Sequence, residues 1–223
     1  KKIMKIDTYL IIENHYLGTI IKTNQFDTFY HEHPRTYSLK SFYEIAKILE
    51  LEIVNIKFPE RYGGNIRVSM INPKSSKYKY IKSINNLQNI NEDFIPNYFS
   101  KVQGFINNWK TQTISKIDDL IKNDNSIYGK SFPGRAAILT KLLELDENKM
   151  PAVFEKDGSV KINHYVPSTK IKILGDNLWI SGEIKPDIFI IWGWHIKKEI
   201  KSYLKQKNFK GRIFTPLPEF KEL

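Results

Sequence analysis

Ser126-Ile127-Tyr128-Gly129-Lys130-Ser131-Phe132-Pro133-Gly134-Arg135-Ala136-Ala137-Ile138-Leu139 passes from strand through turn to helix without a break. Residues 126–128 form a short apolar run closed by glycine, as a buried strand does. Pro133 and Gly134 mark the turn. From Ala136 to about residue 145 the apolar positions recur at helical spacing. Further strand candidates lie at 152–154, 171–174, 188–192 and 212–214, with a second helix candidate at 196–205. Strands separated by helices imply βαβ units and a mainly parallel sheet, so the fold class is α/β, with a boundary near residue 125.

The pattern upstream is different. Residues 9–12 read as a buried strand ending at Glu13. Ser38 is a natural helix N-cap, followed by Leu39, Phe42, Tyr43, Ala46 and Leu49 at helical spacing. Val54, Ile56 and Phe58 alternate, Gly63-Gly64 turns the chain, and Ile66, Val68 and Met70 alternate again, which predicts a hairpin. Residues 74–91 are polar and read as a connector. A long helix is expected from about 97 to 122, with Val102, Phe105, Ile106, Trp109, Ile117 and Ile121 on its apolar face.

The chain has 223 residues, 41% hydrophobic and 26% charged, and no cysteine. Disulfides and thiolate zinc sites are therefore excluded. No apolar run is long enough for a membrane helix, and no signal peptide is expected, so the sequence reads as cytoplasmic. The net charge of +11 calls for an anionic partner or serves solubility. The lysines are spread out, with a mild cluster at Lys77, Lys79 and Lys82 and no nucleic-acid motif. Neither a nucleic-acid nor a membrane partner is expected.

Four stretches carry candidate chemistry. In the first, Phe26-Asp27-Thr28-Phe29-Tyr30-His31-Glu32-His33, proton-sharing side chains crowd together. Such a run suits general base catalysis, because a neighbouring carboxylate tunes histidine near neutral pH. Metal binding through His-x-His lacks a third ligand at fixed spacing, and a self-satisfied polar loop is the plain alternative. In the second, Arg67 follows Tyr62-Gly63-Gly64 and suits a carboxylate or phosphate. In the third, Lys130, Ser131 and Arg135 stand where a strand gives way to a helix and suit an anion, though the spacing is not that of a Walker loop. In the fourth, Trp194 and His195 follow a strand, at the carboxyl end where α/β sheets gather ligands.

Taken in order, these stretches resemble the sugar C-methyltransferases, which methylate keto sugars carried on a nucleoside diphosphate. Phe26 to His33 with Tyr37-Ser38-Leu39 is similar to that family's Phe-Asp-Thr-Ile-Tyr-His-Glu-His…Tyr-Phe-Ser-Leu signature. Gly63-Gly64-Asn65-Ile66-Arg67-Val68, Pro133-Gly134-Arg135-Ala136, Tyr165-Val166-Pro167-Ser168-Thr169, Trp194-His195 and Pro216-Leu217-Pro218 continue it in register. Tyr62, Asn65, Glu155 and Ser168 depart from it.

The resemblance implies a three-part enzyme: a zinc-binding domain, a Rossmann-like methyltransferase domain and a Rossmann-like terminal domain. Residues 1–73 would be the tail of the catalytic domain, 74–125 the connector and long helix, and 126–223 the terminal domain. The expected function is transfer of a methyl group from S-adenosylmethionine to a nucleotide-linked sugar. The zinc cysteines and the cofactor's glycine-rich loop are expected upstream of Lys1, and the chain alone is expected to be inactive. Tyr30, Glu32 and His33 would be catalytic, with His33 the general base. His31, Arg67, Lys130, Arg135, Trp194 and His195 would bind the substrate. An O-methyltransferase acting on an activated heptose or hexose, and a non-catalytic sugar-nucleotide-binding module, remain as alternatives.

Overall fold

The computed structural model describes residues 3–84, 90–123 and 125–223. The chain forms two compact units, Lys1–Asn24 with Glu32–Lys101, and Gln25–His31 with Val102–Leu223.

The first unit holds β1 (Leu10–His15), α1 (Leu17–Lys22), α2 (Leu39–Leu49), β2 (Glu52–Lys57), β3 (Asn65–Ile71), α3 (Tyr78–Ile84) and α4 (Phe94–Phe99). Its strands form an antiparallel sheet in the order β1-β3-β2. The predicted hairpin is β2–β3. Its turn needs left-handed backbone at Tyr62, Gly63 and Gly64 (φ 53°, 91° and 113°), and a β-carbon on Gly64 would collide with Thr19. β1 runs on to His15 and is half-buried rather than buried, being an edge strand; Ile81 of α3 packs with Val54 and Ile71 on one face of the sheet, and the other face carries the larger cover. That cover is α2, whose Leu39, Phe42 and Ala46 pack on Ile53, Ile66, Val68 and Met70.

α2 starts where the sequence places it. Ser38 Oγ accepts the Ser41 N–H at 3.1 Å, and Ser41 Oγ accepts the Ser38 N–H at 3.3 Å. The buried Glu92 carboxylate accepts two more of the helix's unpaired donors, Leu39 N–H at 2.7 Å and Lys40 N–H at 3.0 Å. Tyr16 also donates to it at 3.0 Å, and burial together with this carboxylate holds the Tyr16 phenol above its usual range.

The second unit holds α5 (Val102–Lys122), β4 (Ile127–Lys130), α6 (Ala136–Leu142), β5 (Ala152–Glu155), β6 (Lys172–Gly175), α7 (Asn177–Ile180), β7 (Ile188–Ile191), α8 (Lys197–Gln206), β8 (Arg212–Thr215) and β9 (Lys221–Glu222). Its six strands lie in the order β6-β5-β4-β7-β8-β9. All neighbours are parallel except β8 and β9. The sheet is therefore mixed. Winding runs outward from β4 in one direction and from β7 in the other, so β4 and β7 flank the switch point of a doubly wound, Rossmann-like sheet.

Ile127, Val153, Ile173, Ile188 and Ile190 face α5 and α6, while Phe154, Phe189, Ile191 and Ile213 face α7 and α8. Full burial of each such side chain contributes about 1.5–3 kcal/mol. Gly129 has to be glycine at the sheet's centre: a β-carbon there would lie 2.6 Å from Trp192 Nε1 and 2.6 Å from Val153 Cγ2.

The long helix expected from about 97 to 122 is broken in two. Ser100 ends α4 by donating its hydroxyl back to Asn97 O at 2.9 Å, and α5 begins at Val102. Trp109, Thr113 and Ile117 form the buried stripe of α5, and Trp109 Nε1 donates to Pro216 O at 2.8 Å. The helix thus belongs to the core of the second unit. The expected connector 74–91 contains α3, and residues 85–89 of it lie outside the described residues. Among the described residues no helix is long and apolar enough to cross a membrane.

Candidate functional site

At the switch point, the loop after β4 and the loop after β7 approach one another. Ser131 takes left-handed backbone (φ 61°) and donates its N–H to Phe154 O at 2.9 Å. The next amide, Phe132 N–H, donates to Glu155 Oε1 at 2.8 Å. Lys161 Nζ closes the same corner, 2.7 Å from Phe132 O and 3.5 Å from Glu155 Oε1. An internal carboxylate thus occupies the amide that the sequence offers to an anion.

Lys130 and Arg135 are similarly engaged. Lys130 Nζ lies 2.7 Å from both oxygens of Asp176 and 3.3 Å from Phe154 O, which uses its three N–H bonds. Asp176 is fully buried and also accepts Trp179 Nε1 at 2.9 Å and Tyr203 OH at 2.7 Å. Burial outweighs the pull of Asp176 and holds the Lys130 ammonium below its usual range. Burial and Asp176 push the Tyr203 phenol up.

Arg135 reaches the other way, to Asp27. Its Nε donates to Asp27 Oδ2 at 2.9 Å and its Nη2 to Asp27 Oδ1 at 2.6 Å, a two-pronged fork. Nη2 also reaches Thr28 Oγ1 at 2.5 Å and Gln25 Oε1 at 3.4 Å. Trp194 Nε1 donates to the same Asp27 Oδ2 at 2.8 Å, and the guanidinium carbon lies 4.9 Å from the Trp194 ring centre. Asp27 is 0% exposed and Arg135 5%. Phe26 packs edge-on against Trp109, with ring centres 5.0 Å apart.

His195 is half-buried beside this group, and its Nδ1 meets no hydrogen-bond partner among the described residues. Burial, and then the Arg135 cation, hold its pKa below 6.5. A histidine depressed in the fold gives stability that is complete above pH 6.5 and is lost as pH falls from there through the folded value. The urea midpoint of the native chain should therefore drop more than that of His195→Gln between about pH 7.5 and about pH 5.5. Equal drops would show that His195 takes up its proton equally well in both states.

The Tyr30–His33 run is shared between the units: Tyr30 and His31 belong to the second, Glu32 and His33 to the first. His31 and Glu32 form an exposed turn, and Tyr30 and His33 are half-buried. Tyr30 and His31 meet edge-to-face, with ring centres 5.5 Å apart. In the first unit the His33 ring lies 4.7 Å from that of His15, centre to centre. His15 and Glu13 share a face of β1 opposite Asn65 and Arg67 of β3. Glu13 accepts Asn65 Nδ2 at 2.9 Å and Arg67 Nε at 2.7 Å, and these bonds hold its carboxyl below the usual range.

The structure therefore brings together Arg135, Trp194 and His195 around Asp27, sets Lys130 against Asp176, and places Arg67 with Glu13. The counter-charges Glu13, Asp27 and Asp176 and the second histidine, His15, are partners the sequence did not single out. Asp27 within the Phe26–His33 run, the alternation Glu13-x-His15 on a strand and the acid just after β6 are the signals that pointed to them. Among the described residues no group of three or more His, Asp or Glu side chains could hold a metal ion.

Comparison with known proteins gives the family of the chain. Residues 60–218 match the C-methyltransferase C-terminal domain. The C-methyltransferase NovU of Streptomyces niveus is 23% identical over 224 residues, which take in 96% of this chain and 51% of that protein. The chain thus spans about half the length of the curated relative it matches. The chain belongs to the C-methyltransferase C-terminal domain family.

Proposed function

We propose that this chain is part of an enzyme that transfers a methyl group from S-adenosylmethionine to a carbon of a sugar carried on a nucleoside diphosphate. The observation that carries this reading is the run of titratable groups Tyr30 to His33, half-buried at its ends and exposed at His31 and Glu32, which follows the buried Asp27–Arg135 pair. Membership of the C-methyltransferase C-terminal domain family supports methyl transfer, and to carbon rather than oxygen.

S-Adenosylmethionine would supply an electrophilic methyl group. The residues at the switch point of the six-stranded sheet do not fit it. Glu155 takes the loop amide, Lys130 is closed by Asp176, and no glycine-rich turn follows β4. The cofactor is therefore assigned to residues other than these.

The chemistry assigned to this chain is proton removal. His33 accepts a proton from the carbon beside the sugar's carbonyl, leaving that carbon nucleophilic. Tyr30 and Glu32 orient the imidazole or share its proton. Arg67, which lies in the same unit as His33, is the side chain proposed to meet the substrate.

The protein that carries this chain should transfer labelled methyl from S-adenosylmethionine to at least one member of a panel of nucleoside-diphosphate keto sugars. Mass spectrometry should place the new methyl on carbon. Label on a sugar oxygen would move the assignment to O-methylation, and no label on any sugar nucleotide would overturn the proposal.

A further inference from the structure

In doubly wound sheets the crevice at the switch point, outside the carboxyl ends of the strands, is where ligands bind. Here the loops after β4 and β7 present Arg135 and Trp194, and both bind a segment of the same chain. The Phe26–Thr28 turn places the Asp27 carboxylate on the guanidinium fork and under the Trp194 indole N–H. Gln25, Phe26, Asp27 and Thr28 are all buried there. This carboxylate stands in for the anion that the sequence leads one to expect.

Apolar packing of Phe26 alone would hold the turn loosely, since it fixes no rotation. A two-pronged ion pair with a third donor fixes both position and orientation. The chain runs straight from this anchor into the titratable run. Phe29 N–H returns to Phe26 O at 3.3 Å and Tyr30 N–H to Thr28 O at 3.1 Å, so Tyr30 and His31 follow the buried turn with little slack.

We propose that Asp27, Arg135 and Trp194 are positioning residues: the switch-point crevice binds the protein's own turn and thereby sets where Tyr30 and His31 stand. The positioning role rests on the methyl-transfer reading above, whereas the latch itself does not. A substrate-binding Arg135 and a positioning Arg135 make opposite kinetic signatures. Loss of a group that binds substrate raises KM, whereas loss of alignment lowers kcat.

The test compares Asp27→Asn, Arg135→Lys and Trp194→Phe with the native sequence in the full protein, by steady-state kinetics and by hydrogen exchange of the amides in 25–31. Misplacement of a reacting group by about 1 Å costs about a hundredfold, so kcat should fall about 10–100-fold in the first two variants, with KM for the sugar nucleotide within about twofold. Exchange in 25–31 should speed up while β4, β5 and β7 stay protected. Raised KM with unchanged kcat would overturn the proposal and return Arg135 to the substrate. Unchanged exchange would overturn the latch whatever the activity. Trp194→Phe changes no charge and guards against a variant that fails to fold; full kcat in it together with native exchange would also overturn the proposal. A native protein that methylates no sugar nucleotide would remove the methyl-transfer reading and the positioning role with it, and the exchange contrast alone would then decide the latch.

Discussion

Asp176→Ala should destabilise the second unit by about 3–5 kcal/mol, because it leaves the Lys130 ammonium buried without its partner. Domains of this size are stable by about 5–15 kcal/mol, so the loss takes a large share of the total. The three groups that converge on Asp176, from Lys130, Trp179 and Tyr203, would all lose their acceptor together. Urea unfolding followed through Trp179 and Trp192 fluorescence measures the effect, and a midpoint equal to the native one would show that Lys130 does not depend on Asp176. The double replacement Lys130→Met with Asp176→Leu should recover part of the loss, because the Trp179 N–H and the Tyr203 hydroxyl still lack their acceptor. Burial already holds the Lys130 charge at a disadvantage, and exchanging a buried ion pair for apolar groups of similar volume is often neutral or stabilising. A double variant as weak as Asp176→Ala would mean that the network matters for more than its charge balance.

His33→Ala should lower kcat by about 10²–10⁴-fold, the usual contribution of a positioned general base. Binding of S-adenosylmethionine, measured by calorimetry on the same full protein, should be unchanged. His15→Ala offers the contrast. Its ring lies 4.7 Å from that of His33, so its loss should lower kcat less than loss of the base itself. Native turnover in His33→Ala would transfer the base to another group, and the His15 variant would show whether it is the neighbouring imidazole.

Both effects bear on what the sequence made legible. Short-range signals were read well. Ser38 as an N-cap, the Gly63-Gly64 turn and the alternation of apolar runs with helices after residue 125 each depend on a few adjacent residues. The break between α4 and α5 was missed because the apolar spacing continues across it, while a single hydroxyl at Ser100 competes for the backbone. β9 and α7 were missed because two and four residues are too short to show a period.

The candidate site was legible only on one side. Lys130, Arg135 and Arg67 were found as cations, but the carboxylates they meet stand 46, 108 and 54 positions away. No local pattern couples residues so far apart. A cation at the end of a strand is therefore read first as a place for a substrate's phosphate. The fold instead supplies a carboxylate of its own, because leaving such a charge buried and bare would cost too much.

The Gln25–His31 excursion has a consequence for exchanging parts between related enzymes. By its contacts this segment goes with residues after 101, although the chain on either side of it goes with residues before. A chimaera joined near residue 101 would inherit Asp27 from one parent and Arg135 from the other. Unless both parents carry the same acid and the same base, one half would arrive with a buried charge and nothing to meet it. Inheritance of the two positions is thus tied together across a separation of 108 positions, and a crossover that is safe by length alone is unsafe by electrostatics.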